Sequence, residues 1–376
     1  MKIQFISNYS DLYGANRSLV TILRHLKRKG HEVKVLLPRK GNVIKELDKE
    51  DIEYSIIPYY SGFLYIKPQI KHILVPFLTL ANILFFPFIL RKIKNFDPDI
   101  IYSNSTLENF GLILSRLIGK KHIQHIREFM SLDYNSYFVF GNKAKQAFIE
   151  RSDGVVYVTN AVRNHITRNY TSESFFKVIY NGIPIPSSLP ERRSKSTNEM
   201  IIGLIGIFDQ AKGQLLAVDY IFKVLNHYPN IQLHLFGDKD CNYKRKVEKL
   251  VTDLSLEDKV IFKGFVDDAK EIYKNIDILL MFSKSEGFGR VTVEAMSYGA
   301  PVIGFDSGGT SELIENKVSG CLFSNFYQFR EALDFLNIDG NYKVLRENAY
   351  NVAKTKFNDK VYAQQVEDFI LSVLKR

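Results

Sequence analysis

Short runs of apolar residues alternate with amphipathic segments along nearly the whole chain. The runs are near-continuous, which is typical of parallel strands buried on both faces, and helical patterns separate them. The pattern therefore predicts an α/β fold with two doubly wound, Rossmann-like parallel sheets. In the first half the predicted strands are Lys2–Ser7, Glu32–Leu37, Asp99–Ser103, His122–Ile126 and Gly154–Thr159. In the second half they are Ile201–Ile207, Ile231–Phe236, Val260–Phe265, Ile278–Phe282 and Pro301–Phe305.

A chain of 376 residues is longer than one hydrophobic core usually supports, so two domains are expected. A segment rich in Pro, Ser and charge, residues 184–200, is typical of a linker. The predicted domains are residues 1–183 and 201–358. The sequence leaves open whether the last helical pattern, 359–376, returns to the first domain. Ligands of such sheets bind at the carboxyl ends of the strands, so we expect a site in a cleft between the domains.

The net charge of +10 comes entirely from the first half of the chain. Residues 1–180 contain 26 Lys and Arg against 15 Asp and Glu, and the remainder contains 25 against 26. This surplus fits either a solvated basic surface or a surface for an anionic partner such as anionic lipid. No nucleic-acid-binding motif accompanies it, so we expect no nucleic-acid partner.

The stretch Ile73–Leu90 has no charged residue and is flanked by lysine and arginine. Its length reaches only the lower limit of a membrane span, and Pro76, Asn82 and Pro87 interrupt it. A buried or half-buried helix is expected, with a helix lying on the inner membrane leaflet as the alternative. The start of the chain has no signal-peptide pattern, and two cysteines are too few for a disulfide framework. These features predict a cytoplasmic protein that could associate peripherally with the membrane.

The strongest chemical signal is a glycine-flanked loop, Ser285–Gly289, between a predicted strand and a predicted helix. Its glycines let backbone N–H groups approach a ligand, and the helix N-terminus behind them favours phosphate. Glu286 lies in the loop, and Glu294 lies in the first turns of the helix. The alternative is a loop with two surface glutamates.

Further candidates follow other strands, although each is weak alone. Lys212 after Gly206 could bind phosphate, and Gly14 allows close backbone approach to a ligand. A strand-end histidine such as His125 is more often structural, but beside Arg127 it is a candidate sugar contact. No GxGxxG follows the first strand, which argues against an NAD enzyme.

The two Asp-x-Asp patterns do not predict a metal site. Asp97-Pro98-Asp99 precedes a strand, and Asp238-Lys239-Asp240 has no third ligand nearby. We therefore expect no catalytic metal and no cofactor.

Taken together, these segments resemble the retaining GT-B glycosyltransferases of family 4. The resemblance is carried mainly by the E-x7-E block from Glu286 to Glu294, which continues through Gly299-Ala300-Pro301-Val302 to Gly308-Gly309. Supporting matches, which are weak individually, are Gly14, Val158-Thr159, Asn181-Gly182-Ile183 and Lys212-Gly213-Gln214. The likeness covers almost the whole chain.

The resemblance implies a role for each matching position. Glu294 would bind the ribose hydroxyls of a nucleotide-sugar donor, Glu286 would bind its sugar, and Lys212 would neutralise its diphosphate. The loop backbone at Gly287, Phe288 and Gly289 would approach the phosphates. From the other domain, Gly14 would lie near the phosphates and His125 would contact the transferred sugar.

One position departs from the family's usual pattern, G-R-x4-K-G. The arginine that would also bind the diphosphate is replaced by Ile207. Arg290 at the start of the Glu294 helix, or Arg127 from the other domain, is expected to compensate.

The resemblance implies a metal-independent, retaining transferase that uses a nucleotide-diphospho-sugar, with UDP the commonest nucleotide by analogy. The expected acceptor is a glycan or a lipid-linked glycan in bacterial-type surface polysaccharide assembly. The alternatives are a noncatalytic nucleotide-sugar-binding protein and a UDP-sugar epimerase of GT-B shape. The sequence does not identify the sugar, the linkage or the oligomeric state.

Overall fold

The computed structural model describes residues 1–61, 63–65, 75–132, 136–138, 140–168, 175–191, 199–266, 268–338 and 340–376. The chain divides into two compact units. Unit 1 comprises Met1–Gly182 and Asp359–Arg376, and unit 2 comprises Ile183–Asn358. Parts of two predicted features, 192–198 of the linker and 73–74 of the uncharged stretch, lie outside the described residues.

Unit 1 is built on a parallel sheet. Its described strands are β1 (Lys2–Ile6), β2 (Glu32–Leu37), β3 (Glu53–Ile56), β4 (Phe63–Tyr65), β5 (Ile100–Ser103), β6 (Lys121–Ile126), β7 (Ser136–Phe138), β8 (Gly154–Tyr157) and β9 (Phe176–Val178). Seven of them pair in the order β3-β2-β1-β5-β6-β8-β9, all parallel. Strands β4 and β7 form a separate antiparallel pair. The strand order reverses between β1 and β5, so the loops that follow these two strands lie at the usual ligand-binding position of such a sheet.

Helices pack on the sheet of unit 1. They are α1 (Gly14–Arg28), α2 (Val43–Lys49), α3 (Val75–Phe96), α4 (Phe110–Ile118), α5 (Gly141–Glu150) and α6 (Asn160–Thr167). The C-terminal helix, Asp359–Lys375, also belongs to this unit. One buried cluster joins α1 and the C-terminal helix to the sheet through residues such as Phe5, Leu23 and Phe369.

Polar contacts and close packing fix the C-terminal helix on unit 1. The carboxylate of Glu367 pairs with His25 and His31, at 2.8 Å each. The ammonium of Lys121 donates to the carbonyl of Val373 at 2.9 Å. A methyl group on Gly154 would lie 2.6 Å from a methyl carbon of Val373, so the helix sits where only glycine leaves enough space.

Helix α3 covers most of the predicted uncharged stretch and is half-buried. Over residues 80–96 its inner face packs Ile89, Ile93 and Phe96 into unit 1, and its outer face leaves Leu80, Ile83, Leu84 and Phe88 exposed. Among the described residues, no helix is both long enough and apolar enough to cross a membrane.

A fully buried polar cluster links β5, β6 and the start of α4. The carboxylate of Glu108 accepts hydrogen bonds from Ser103 Oγ and from the backbone N–H of Phe110 at 2.7 Å. Ser103 Oγ also lies 2.8 Å from Nε2 of His122. Burial is the main cause that raises the pKa of Glu108 to about 7 and lowers the pKa of His122 to about 3.

Unit 2 is built on a second parallel sheet. Its described strands are β10 (Met200–Ile205), β11 (Ile231–Phe236), β12 (Val260–Gly264), β13 (Ile278–Met281), β14 (Val302–Phe305) and β15 (Cys321–Phe323), in the order β12-β11-β10-β13-β14-β15. Its helices are α7 (Gln214–Val224), α8 (Asn242–Asp253), α9 (Ala269–Asn275), α10 (Arg290–Ser297), α11 (Thr310–Leu313), α12 (Phe326–Asn337) and α13 (Asn341–Lys356). A short 3-10 turn, Gln210–Lys212, follows β10. The order reverses between β10 and β13, so the candidate residues Lys212 and Glu286 follow the two strands at the reversal.

The predicted fold class is confirmed, and all ten predicted strands occur within two residues of the predicted ends. The strands absent from the prediction are β3, β9 and β15 at the sheet edges and the pair β4 and β7. Edge strands are covered on fewer sides, so exposed residues such as Glu53 and Lys177 break the apolar run that indicates a strand.

Candidate functional site

The loop after β13 ends in an uncapped helix N-terminus. Gly289, whose φ of 86° is in the left-handed region, turns the chain into α10. The N-cap residue, Gly289, has no side chain to cap the first turn, and no acidic residue lies in that turn. The positive end of the helix dipole therefore suits an anion such as a phosphate. This places the predicted backbone positions Gly287, Phe288 and Gly289 beside a region of positive potential.

A second glycine loop supports the first. The N–H of Gly309 donates to the carbonyl of Glu286 at 2.7 Å. A methyl group at Gly309 would lie 2.7 Å from the carbonyl oxygen of Gly287 and 2.9 Å from Cα of Phe288, too close to fit. The backbones of the two loops are therefore in contact, and this contact restrains the position of Glu286 in the loop after β13. The side chain of Phe288 is buried and packs edge-to-face against Phe357.

Lys212 and Glu286 form an ion pair. The ammonium of Lys212 contacts Oε1 of Glu286 directly. Burial of the Glu286 carboxyl opposes its ionisation, but attraction and hydrogen bonding from Lys212, with a further hydrogen bond from Ser283, lower its pKa overall. The carboxylate is therefore ionised at neutral pH and can accept hydrogen bonds from hydroxyl groups.

Local interactions stabilise the turn that carries Lys212. The side chain of Asp209 accepts a hydrogen bond from the N–H of Ala211 at 3.0 Å, and this caps the 3-10 turn. Gly213 closes the turn with a φ of 74°, against the backbone of Phe282. The hydroxyl of Ser283 donates to the carbonyl of Ala211 at 2.8 Å, which ties the turn to β13.

Glu294 is held by two neighbours on one side of α10. The hydroxyl of Tyr273 donates to Oε2 of Glu294 at 3.1 Å, and the guanidinium of Arg290 lies 3.4 Å from Oε1. Tyr273 is itself buried and stacks on Tyr298, with ring centroids 5.6 Å apart. Tyr273 was not among the predicted site residues, because it precedes Glu294 by 21 residues and no motif marks it.

The structure thus brings Lys212, Glu286, Gly289, Arg290 and Glu294 to the carboxyl edge of the unit 2 sheet. At position 207, where the family pattern has arginine, the structure has a half-exposed isoleucine. Among the described residues, no three His, Cys, Asp or Glu side chains are arranged to hold a metal ion.

In unit 1, Gly14 begins α1 directly after the loop that follows β1. The loop is shaped by Asn16, whose amide donates to the carbonyls of Tyr9 and Asp11 at 3.0 and 2.9 Å. Tyr13, at the N-cap position, supplies no side-chain cap. Gly14 therefore lies at an uncapped helix N-terminus, and its proximity to a phosphate stays a prediction.

His125 lies in the interior of unit 1. Its Nδ1 is 2.7 Å from the hydroxyl of Tyr102, and its Nε2 has no hydrogen-bond partner among the described residues. Burial, followed by the charge of Arg127, lowers the pKa of His125 well below its usual value, so the imidazole is neutral. Its predicted contact with a donor sugar would use Nε2.

Arg127 is also buried, and its guanidinium is fully engaged within unit 1. It donates to Asn104 at 2.8 and 3.1 Å, to Asn181 at 2.6 Å and to the hydroxyl of Tyr362 at 2.9 Å. These bonds tie the loop after β5 to the C-terminal helix. A role for Arg127 at a diphosphate would require them to break, so the geometry favours a cation of unit 2 instead.

Two family models account for the two units in turn. The model described as Glycosyltransferase Family 4 matches residues 13–185, and the model described as Glycosyl transferases group 1 matches residues 188–352. Together they cover about nine-tenths of the chain. Two Rossmann-like units that match these two models in turn define a GT-B glycosyltransferase. The chain belongs to the GT-B glycosyltransferases of family 4.

Curated relatives match parts of the chain. An uncharacterised glycosyltransferase of Methanocaldococcus jannaschii is 33% identical over 180 residues, covering 44% of this chain and 45% of the relative. The Vi polysaccharide biosynthesis protein VipC/TviE of Salmonella typhi is 26% identical over 189 residues, covering 46% and 32%. Thus the matches span less than half the length of these two relatives.

Solved structures show the same fold over the full length. HepE of Anabaena, crystallised in complex with UDP, has a TM-score of 0.81 at 22% identity, covering 99% of this chain and 100% of that chain. A glycosyltransferase of Rickettsia africae has a TM-score of 0.78 at 21% identity, covering 100% and 99%. At these identities the likeness establishes the fold alone.

Proposed function

We propose that this chain is a retaining, metal-independent hexosyltransferase. Its donor is a nucleotide-diphospho-sugar, with UDP as the nucleotide, and its acceptor is a glycan or lipid-linked glycan in cell-surface polysaccharide assembly. The names of relatives support this choice: one acts in Vi polysaccharide biosynthesis, and HepE was crystallised with UDP and with UDP-glucose.

The observation that carries the proposal is the grouping of Lys212, Glu286, Glu294 and the α10 N-terminus at one sheet edge. Lys212 and the helix N-terminus supply positive charge for a diphosphate. Glu286 and Glu294 supply ionisable acceptors for hydroxyl groups on either side of it. A nucleotide sugar has this order of groups: a ribose diol, a diphosphate and a sugar.

The proposed reaction breaks the bond between the anomeric carbon and the β-phosphate oxygen, and both electrons leave with the phosphate. The acceptor hydroxyl oxygen then bonds to the anomeric carbon on the same face, and its proton moves to the leaving phosphate. Negative charge on the diphosphate grows as the bond breaks, so fixed positive charge from Lys212 and α10 stabilises the transition state more than the ground state. Because positive groups of the protein would take this role, we expect activity without a divalent metal.

The donor site is tested by titration calorimetry with UDP, GDP, ADP and CMP, followed by the matching nucleotide sugars, with and without EDTA. Glu294→Ala should weaken binding of the preferred diphosphate about tenfold or more, because a hydrogen-bonding partner of the ribose is lost. Glu286→Gln should bind the free diphosphate at least as tightly as wild type, because Lys212 is released from its ion pair, yet it should abolish sugar transfer. Glu248→Gln, an exposed change on α8, is the control.

The outcomes separate the alternatives. Binding of a nucleotide sugar without transfer to any acceptor would favour a noncatalytic binding protein. Conversion of one UDP-sugar to another without an acceptor would favour an epimerase. Loss of activity in EDTA, restored by a divalent ion, would contradict metal independence.

We also propose that unit 1 binds an anionic membrane surface from the cytoplasmic side. The exposed residues Leu80, Ile83, Leu84 and Phe88 make one face of α3 apolar, and exposed Arg91 and Lys92 follow on the next turn. An apolar face next to basic residues is the usual pattern of a helix lying in the headgroup region. Such binding would bring the enzyme to a lipid-linked acceptor.

The membrane proposal has a sensitive test because the chain contains no tryptophan. Leu84→Trp would place the chain's single tryptophan on the exposed face of α3, where it can be excited selectively over the tyrosines. With vesicles that contain anionic phosphatidylglycerol and brominated acyl chains, its fluorescence should be quenched. Val344→Trp, at an exposed position of α13, should not respond. Equal fluorescence of both variants with and without vesicles at low salt would refute membrane binding.

A further inference from the structure

Two cations at the candidate donor site, Lys212 and Arg290, are already paired with carboxylates. Lys212 contacts Glu286, and Arg290 lies 3.4 Å from Glu294. A nucleoside diphosphate carries about two negative charges when it is esterified to a sugar and about three when free. Each pair is neutral as a whole, so the two pairs offset only part of this charge. With isoleucine at position 207, the turn after β10 contributes no second cation of its own.

The neighbouring loop, which follows β11, approaches this turn closely. A methyl group on Gly237 would lie 2.2 Å from the carbonyl oxygen of Gly206 and 3.3 Å from the nitrogen of Ile207. The two loops are therefore in backbone contact at the position where the arginine is missing. Two residues further on, the ammonium of Lys239 lies 3.5 Å from Oδ2 of Asp209.

Asp209 connects Lys239 to the diphosphate position. Its backbone carbonyl accepts a hydrogen bond from the N–H of Lys212 at 2.9 Å, and its side chain caps the same turn through Oδ1. The ammonium of Lys239 thus contacts the residue that caps the turn carrying Lys212. This turn follows β10, one of the two strands at which the strand order reverses.

Lys239 is available to move onto a ligand. Its side chain is 46% exposed and that of Asp209 is 44% exposed, and a pair this exposed contributes little to stability. The next lysine along the chain, Lys244, is engaged instead with Asp238 at 3.3 Å and lies over the ring of Phe208. Transfer of Lys239 from Asp209 to a phosphate oxygen therefore costs little and gains a charge-assisted hydrogen bond.

We propose that Lys239 supplies the second positive charge for the donor diphosphate, in place of the arginine that Ile207 replaces. The assignment rests on the proposed donor site. It also predicts an order of effects among ligands, because the attraction between the ammonium of Lys239 and a ligand increases with the negative charge of the ligand. Lys239 should matter most for the free diphosphate, less for the nucleotide sugar and not at all for the nucleoside.

The test is calorimetric titration of the full chain with the preferred nucleoside diphosphate, its sugar conjugate and the nucleoside alone, at low and at moderate salt. Lys239→Ala should weaken binding of the diphosphate roughly tenfold, the value of one charge-assisted contact. The loss should be smaller for the nucleotide sugar and absent for the nucleoside. Lys246→Ala, an exposed lysine on α8, is the matched control and should bind like wild type.

A rescue variant completes the design. Ile207→Arg added to Lys239→Ala should restore diphosphate affinity, because it returns a cation to the same turn. A wild-type chain that binds the diphosphate, with Lys239→Ala unchanged and normally folded by its melting temperature, would overturn the assignment of Lys239 alone. A wild-type chain that binds no nucleoside diphosphate would overturn the proposed donor site and this assignment with it.

Discussion

The buried carboxyl of Glu108 should make the stability of unit 1 depend on pH in an unusual way. Burial, the largest effect on this group, raises its pKa to about 7, although hydrogen bonds from Ser103, Gly111 and Phe110 act against it. In an unfolded chain a glutamate has a pKa of about 4.3. The folded state therefore holds the proton more tightly, and the stability from Glu108 is complete below pH 4.3 and is lost as pH rises towards 7. The difference of about 2.7 pKa units corresponds to about 3.7 kcal/mol over the whole pH range, of which about 3 kcal/mol falls between pH 4.5 and 7.5.

His122, in the same cluster, makes the stability of unit 1 depend on pH in the opposite direction. Burial lowers its pKa to about 3, against about 6.5 when unfolded. Its contribution is present above pH 6.5 and is lost as pH falls towards 3. Between about pH 4.5 and 6.5 the two slopes oppose each other at about 1.4 kcal/mol per pH unit each, so the wild-type chain should show little net dependence from this cluster.

Glu108→Gln isolates one of the two effects. Glutamine is neutral at every pH, and its amide can donate to Ser103 while its oxygen accepts from Phe110, as a protonated Glu108 would. The unfolding free energy of wild type minus that of the variant should fall by about 3 kcal/mol between pH 4.5 and 7.5. Within the variant, stability should rise with pH between 4.5 and 6.5, because the opposing effect of Glu108 is gone.

The measurement must report unit 1 alone, because two units need not unfold together. Urea titrations at several pH values, with pulsed deuterium labelling read by mass spectrometry on peptides from β5 and β6, meet this need. Glu150→Gln, an exposed change on α5, should give a difference that is flat across the same range. A flat difference for Glu108→Gln as well would show that Glu108 has the same pKa folded and unfolded, and would refute the reasoning.

Three further substitutions test the packing around the candidate site and the C-terminal helix. Tyr273→Phe removes the 3.1 Å hydrogen bond to Glu294 and should weaken nucleotide binding severalfold by calorimetry, whereas Tyr327→Phe, at an exposed tyrosine of α12, should have no effect. Gly309→Ala adds a methyl group 2.7 Å from the carbonyl oxygen of Gly287, so the loop must shift. The affinity for the donor should fall clearly, while the melting temperature should change little. Unchanged affinity would mean that the two loops can move apart freely. Gly154→Ala forces a methyl group against Val373 and should destabilise unit 1 by about 1–3 kcal/mol in urea unfolding. An unchanged midpoint of the urea unfolding transition would contradict the tight packing of the C-terminal helix.

Much of the fold was predictable because buried parallel strands leave a local signal. Ile278–Met281 is apolar at every position, and the glycine-flanked loop after it is contiguous in sequence with both glutamates. The same locality made the E-x7-E block recognisable: residues that surround one helix N-terminus lie within about two helical turns of each other.

Only the tertiary structure decided which distant residues meet. Gly309 touches the loop of Glu286, and the loop of Lys239 meets the turn of Lys212, because the strands before these segments are adjacent in the sheet. Tyr273 reaches Glu294 because the helices before and after β13 lie side by side. The edge strands β3 and β9 were missed for a related reason, since partner strands rather than an apolar run define them.

Whether a charged side chain is buried or exposed also depended on the tertiary structure. Arg127 and Glu108 look like exposed polar residues in the sequence, yet both are buried, because hydrogen-bond partners from separate elements replace the water that each loses. Lys239 is exposed, and its sequence gives no indication of a functional role. The role proposed for it depends on the backbone contact between the loops that follow β10 and β11. Composition and spacing determine the sheets and the local motif, and the burial of individual charges is set by neighbours that no local pattern specifies.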